Sequence, residues 1–242
     1  MNLFGRDDRA RQQISAPAEE EAAVFVGHYS VSFAARARGF AIPLWVLFIA
    51  VQLLDVVWAP LVLLGVEKVR IVPGITASNP LDLYYMPYTH SLVAAFLWSV
   101  AAFVAYRLAV PNAGRTAPFV IGVAVFSHWV LDLIVHRPDL PIYDDAAKVG
   151  LGLWNYPVAA FGVESLLLFG GMWLYLARYR MRVISIVLFG LIMLAIQAYV
   201  FFGPPPASDN AAALTALAAY AIFAAVIRLL ERRSHDVAAP AC

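Results

Sequence analysis

The sequence predicts an all-α fold: a polytopic transmembrane helix bundle of about six spanning helices plus a short N-terminal helix. Three observations predict it. Of the 242 residues, 62% are hydrophobic and only 14% charged, with a mean hydropathy of +0.75, far more apolar matter than a water-soluble domain of this size needs for its core. Apolar stretches recur at the length of about 20 residues that a helix needs to cross the hydrocarbon core. Lys and Arg gather in alternate connections between those stretches. The net charge of +1 points to no nucleic-acid partner and no acidic substrate surface. The single cysteine, Cys242, gives neither an intrachain disulfide nor a cysteine-based metal site and leaves the redox compartment unread. His, Asp and Glu remain as carriers of chemistry.

Taken in order, residues 1–20 are polar, of mixed charge and without an apolar run, so they predict a flexible N-terminus and not a cleaved signal peptide. Residues 21–38, EAAVFVGHYSVSFAARAR, predict a helix too short and too polar for an ordinary span. Two placements fit it. One is an amphipathic helix at the cytoplasmic interface. The other dips into the bundle and pairs with the first span through a tight turn at 36–39, which would allow the N-terminus to lie outside. Residues 40–64, 89–110, 117–136, 157–177 and 183–202 meet the length test for spans, and the Ala-rich stretch 211–230 is a sixth. Breakers separate them, among them Pro73-Gly74, Asn79-Pro80, Pro111-Asn112, Pro138, Pro141 and the run Gly203-Pro204-Pro205-Pro206. Residues 21–232 thus read as one membrane helical domain and 233–242 as a polar tail, with no internal repeat.

The N-terminal region, the loops near 107–116 and 178–182 and the C-terminal end hold 5, 2, 3 and 3 Lys and Arg, against 2, 2 and 0 in the loops near 65–88, 137–156 and 203–210. The asymmetry favours both termini in the cytoplasm. Tyr84, Tyr85, Tyr88, Tyr143, Trp154 and Tyr156 then lie in or beside the outer loops, where an interfacial aromatic belt belongs.

Ionisable residues inside spans cost roughly 2.5 to 3.5 kcal/mol each on insertion scales, so those that persist face the interior and have partners. The third span reads FSHWVLDLIVHRPDLP and places His128, Asp132 and His136 at i, i+4 and i+8, a single stripe with successive members turned by about 40°. His90 falls in the first turn of the second span behind Thr89, a plausible N-cap. Asp55 lies in the first span and Glu164 in the fourth. At a rise of about 1.5 Å per residue, Asp55, His128, Asp132 and Glu164 sit roughly 6 to 13 Å below the outer face, with His90 and His136 at its rim. Four helices therefore bring acids or imidazoles to one depth.

Imidazole with carboxylate is ordinary ligation for zinc, with manganese and iron also compatible. Asp55, Asp132 and Glu164 supply three negative charges against the four of two divalent ions, a surplus suited to a hydroxide or a phosphate oxygen. Each residue also has a structural reading. A single intramembrane Asp or His is often only a helix–helix hydrogen bond. His136 reads either as a ligand or as a helix cap, and Glu164 as a ligand, a general acid or base, or a helix–helix link. Gln197 reads as an interhelical hydrogen bond, His235 as solvated, and Asp139, Asp144, Asp145 and Lys148 as solvated loop charges, while Arg137 is placed to steer an anionic headgroup.

GHYSV at 27–31, the stretch around Asp55, PYTHSL at 87–92 and SHWVLDLIVHRPDLPI at 127–142 together resemble the LexA-binding, inner-membrane-associated hydrolases, the bacterial membrane-bound metal-dependent hydrolases. The resemblance covers roughly residues 22–142. Such proteins show a Gly-His, a Pro-Asp-x-Asp-His run, a Thr-His-Ser and a Ser-His-x-x-x-Asp. By that resemblance His28, Asp55, His90, His128 and Asp132 are metal ligands, and residues 21–38 take the inserted placement. The departure is LLDVVWAP, which keeps one Asp and lacks the second Asp and the His. His136 and Glu164, or a reduction to one metal, would make up the difference.

The expected function is a membrane-embedded, metal-dependent hydrolase acting on a lipid-linked phosphoester at the outer face of the inner membrane. Zinc is the first choice of metal, Asp132 and Glu164 are the catalytic acids, and a membrane lipid or lipid-linked molecule is the partner. The rivals are a proton or cation transporter built on the same cluster and a non-catalytic accessory subunit, including one holding haem between two histidines.

Overall fold

A computed structural model of the chain describes residues 25–179 and 183–237, with side chains given as far as Arg232. The expectations for residues 1–20, for 21–24, for Arg180 and Arg182, for His235 and for the tail beyond 237 lie outside the described residues. Among the described residues, eight α-helices form the bundle: α1 (Tyr29–Ala37), α2 (Leu44–Val51), α3 (Leu53–Leu63), α4 (Leu92–Ala109), α5 (Thr116–Val135), α6 (Pro157–Arg178), α7 (Val183–Phe202) and α8 (Asp209–Val237). Five of them are long and apolar enough to cross a membrane, and α2 with α3 makes a sixth, bent span. The protein is a multi-pass membrane helix bundle.

The span expected over 40–64 is continuous in sequence and broken in space. Its two halves meet at Gln52 with a bend of 53°, and Gln52 leaves the helical region at φ −109° and ψ 10°. No proline or glycine marks the place. What holds it open is a bond from outside the helix: the Val51 carbonyl accepts from the His128 ring, Nδ1 to O 2.7 Å, while the buried Gln52 amide reaches the Phe25 carbonyl at 3.5 Å. A buried carbonyl must be satisfied somewhere, and here a side chain replaces the helical partner.

Residues 25–38 adopt the inserted placement. A 3-10 turn over Val26–His28 leads into α1, whose Tyr29, Ser32 and Phe33 are fully buried between α2 and α6. Two glycines permit this. A Cβ on Gly171 of α6 would stand 2.6 Å from the Ser30 carbonyl oxygen, and one on Gly27 would stand 3.2 Å from the Glu164 backbone. The turn at 36–39 takes α1 into the first span, with Gly39 in the left-handed region at φ 87°.

The outer connection expected as a loop over 65–88 contains an antiparallel hairpin, β1 (Lys68–Ile71) and β2 (Leu81–Tyr85), which pairs Arg70 with Asp82 and is irregular between Lys68 and Arg70. Val69, Leu81 and Leu83 pack inward with Phe25, Trp58, Met86 and Trp154 to form a second core at this end of the bundle, separate from the main core around α1, α2, α5 and α8. In β1 Val69 turns inward between the exposed Lys68 and Arg70, as a strand with one wet face requires, whereas in β2 Asp82 is buried along with Leu81 and Leu83. The hairpin thus roofs one end of the bundle. On the sides, α4 packs chiefly on α5 and turns Phe96, Leu97, Val104 and Leu108 outward, as a lipid-facing helix does.

Candidate metal centre

Four histidines converge beneath the hairpin. His28 ends the 3-10 turn before α1, His90 lies just ahead of α4, His128 is inside α5 and His136 is its C-cap. All four are buried, as is Asp132. His28 Nε2 lies 3.1 Å from Asp132 Oδ1, and His128 Nε2 lies 3.1 Å from Asp132 Oδ2. His90 Nε2 lies 3.2 Å from Asp55 Oδ1 and 3.8 Å from Asp132 Oδ2; His128 Nε2 is 3.6 Å from Asp55 Oδ1, and His136 Nε2 is 3.8 Å from Asp132 Oδ1.

The opposite ring nitrogen fixes what each imidazole presents. His28 Nδ1 meets the Phe25 carbonyl at 3.3 Å and His128 Nδ1 meets the Val51 carbonyl at 2.7 Å, and a carbonyl only accepts. His136 Nδ1 meets Asp139 Oδ1 at 2.8 Å. His90 Nδ1 meets the Thr89 hydroxyl at 2.7 Å, and that hydroxyl donates its own proton to Glu67 Oε2 at 2.6 Å, leaving a lone pair for the ring. Each ring therefore carries its proton on Nδ1 and, when neutral, turns the Nε2 lone pair toward the two carboxylates. Lone pairs facing carboxylate oxygens at 3.1 to 3.8 Å repel unless each Nε2 is protonated or a cation sits among them.

The donor set fits a metal ion. Ligand atoms of His28, His128 and Asp132 lie within 4.8 Å of one another, as do those of Asp55, His90 and His128. Ligands 2.0 to 2.1 Å from a tetrahedral zinc stand about 3.3 Å apart, a value inside the 3.1 to 3.8 Å range of the Nε2–carboxylate distances. Asp132 Oδ2 is buried without a hydrogen bond. Phe25, Trp58 and Leu83 help to enclose a cavity of about 20 Å³ against Asp55, His90, Asp132 and His136, room for one water-sized body. The Nδ1 contacts to carbonyl or carboxylate are the arrangement that orients metal-binding histidines.

Several residues differ from their sequence reading. Ser91, not Thr89, caps α4, its hydroxyl accepting from the Ala94 N–H at 3.1 Å, which frees Thr89 for the relay between His90 and Glu67. His136 is the C-cap of α5, and its Nε2 also faces Asp132 at the edge of the cluster. Asp139, expected to be solvated, is buried between His136 and Arg137, because the 137–156 connection folds back under the hairpin. Arg137 is bonded to Asp82 of β2 and to Asp139, and Asp82 also accepts from Arg70 at 2.6 Å. Gln197 bonds the Val26 N–H at 3.1 Å, so it steadies the 3-10 turn and not a neighbouring helix. Asp145 pairs with Lys148, and Asp144 is exposed.

Glu164 is buried beside the cluster; its Oε2 accepts from the Gly27 N–H at 3.4 Å and its Oε1 has no hydrogen-bond partner among the described residues. It therefore braces the turn that carries His28. Tyr220 of α8, which carried no signal in the sequence, donates to Asp55 Oδ2 at 2.6 Å and lines the cavity. Glu67 was equally hidden: it accepts from the Tyr88 and Thr89 N–H groups, and burial pushes its carboxyl above the usual range against the pull of His90 and those bonds. Comparison of the chain with protein-family models, with curated proteins and with solved structures finds no match.

Proposed function

We propose that the protein is a metal-dependent hydrolase of the bacterial inner membrane, acting on a lipid-linked phosphoester at the hairpin-bearing, outer face. The observation that carries the reading is that four buried imidazoles each commit Nδ1 to a fixed acceptor and point Nε2 at the same two carboxylates. A proton-transfer or packing role would need no such uniform tautomer. The His28, His90, His128 and Asp132 motifs that resemble the LexA-binding, inner-membrane-associated hydrolases are the members of this cluster, which supports the same class.

A divalent ion held by His28, His90, His128, Asp132 and Asp55, with His136 at the edge, would supply Lewis acidity and lower the pKa of a water. Zinc suits the donors best, with manganese and iron next. Because His128 Nε2 belongs to both possible ligand triads and has one lone pair, the set is read as holding one ion. Two carboxylates and four neutral imidazoles carry a charge that one divalent ion balances.

Asp55, oriented by Tyr220, and Asp132 are the carboxylates within reach of that water, and Glu164, with its free oxygen, is the further acid or base. The cavity of about 20 Å³ is too small for a headgroup while the hairpin is down, so substrate entry requires the hairpin to lift, which would free Arg137, beside the already exposed Arg70, for a phosphate. The test is phosphate release from lipid-linked phosphoesters by the zinc-loaded protein in nanodiscs. Wild type turns over and His128→Ala does not; turnover that survives in His128→Ala contradicts the proposal.

A further inference from the structure

At the end of the bundle opposite the metal centre lies a second feature, independent of the hydrolase reading. A pocket of about 400 Å³ opens between α1, the start of α2 and the last turns of α8, lined by Arg36, Trp45, Arg228, Glu231 and Arg232. Glu231 is spent internally: it accepts from Arg36 Nε at 3.3 Å and from the Leu44 N–H at 2.9 Å. Arg228 and Arg232 have no carboxylate partner among the described residues, and the Arg228 guanidinium lies 4.8 Å from the Trp45 ring centroid. The pocket thus keeps an excess of two positive charges.

A second cavity, of about 350 Å³, shares Trp45 and Arg228 with it as walls and runs along the bundle between α2, α3 and α8. Its wall on α8 is Ala221, Ala224 and Ala225, small side chains that leave a furrow, and it ends at Leu217 and Tyr220. From Arg228 to Leu217 is about 16 Å of helix. An arginine-lined pocket at the mouth and an apolar furrow leading inward match the two ends of a single amphiphile.

We infer that Arg228, Arg232 and Trp45, together with the α8 alanine furrow, form a binding site for an anionic phospholipid, its phosphate on the arginines and an acyl chain in the furrow. Arginine suits a phosphodiester because its planar fork offers paired donors and is weakly hydrated. The arginines fall where the positive-inside rule places the cytoplasmic surface, the face on which anionic headgroups attract basic residues.

Native mass spectrometry of the full chain, released from nanodiscs of equal parts phosphatidylglycerol and phosphatidylcholine, tests this. Wild type retains phosphatidylglycerol selectively. The Arg228→Gln, Arg232→Gln variant, altered only at exposed positions, retains it about 25-fold less, at roughly fivefold per arginine. The Ala221→Leu, Ala225→Leu variant, with every arginine in place, also loses it, and excess inorganic phosphate does not displace it from wild type. Equal retention of the two lipids, or undiminished retention by either double variant, overturns the inference. Displacement by inorganic phosphate overturns it too, by making the pocket a site for the free ion.

Discussion

His128 shows how much one side chain does here. Its Nε2 faces Asp132 and Asp55, and its Nδ1 takes the carbonyl that the broken span leaves free. Its spacing from Asp132 and His136 made that stripe legible in the sequence, since i, i+4 and i+8 share a helix face. Asp55 and His90 were legible by depth alone. Tyr220 and Glu67 were not: each acts through one contact between segments far apart in the chain, and neither periodicity nor composition records that. The relay from His90 through Thr89 to Glu67 makes a prediction at this scale. Thr89→Val removes the acceptor that fixes the His90 tautomer and keeps all the ligands. Its zinc affinity, measured by chelator competition, falls about 10- to 100-fold. Unchanged affinity would mean that the relay orients nothing.

Among the elements, the spans were readable because hydropathy reports length, and length decides crossing. The break at Gln52 was invisible because it owes nothing to proline or glycine; a ring on another helix sustains it. The hairpin was read as loop because its strands are short and the stretch is rich in turn residues, and its inward positions show only against Trp58 and Trp154. Two outcomes follow from contacts between elements. Gly171→Ala drives a methyl into the Ser30 carbonyl, and the backbone there cannot yield, so α1 and α6 separate and thermal stability drops by about 1 to 3 kcal/mol. A melting temperature equal to wild type would show that the approach is looser. Arg137→Ala unties Asp82 of β2 from the 137–156 connection, so amide hydrogen exchange over 68–85 quickens while the spans exchange as before. Unaltered exchange there would mean that the hairpin is held by its apolar face alone.

Across the whole molecule, the two proposed sites lie at opposite ends. The end with the hairpin gathers four histidines and two aspartates under a roof; the opposite end gathers arginines around a furrow open to lipid. The helices between them are apolar on their outer faces, as a bilayer demands. The sequence revealed this division through Lys and Arg asymmetry and through a common depth of acids and imidazoles. It could not reveal that the cluster borders a cavity as small as about 20 Å³, because that narrowness depends on how the hairpin and the 137–156 connection fold together. The central claim is that the cluster is a metal centre. Plasma mass spectrometry of detergent-purified wild type, grown with zinc or manganese, beside a His128→Ala, Asp132→Ala variant tests it most directly. Wild type should carry about one divalent ion per chain and the variant none, since both ligand triads lose a member. Wild type without metal after such growth, or a variant that keeps it, would contradict the account.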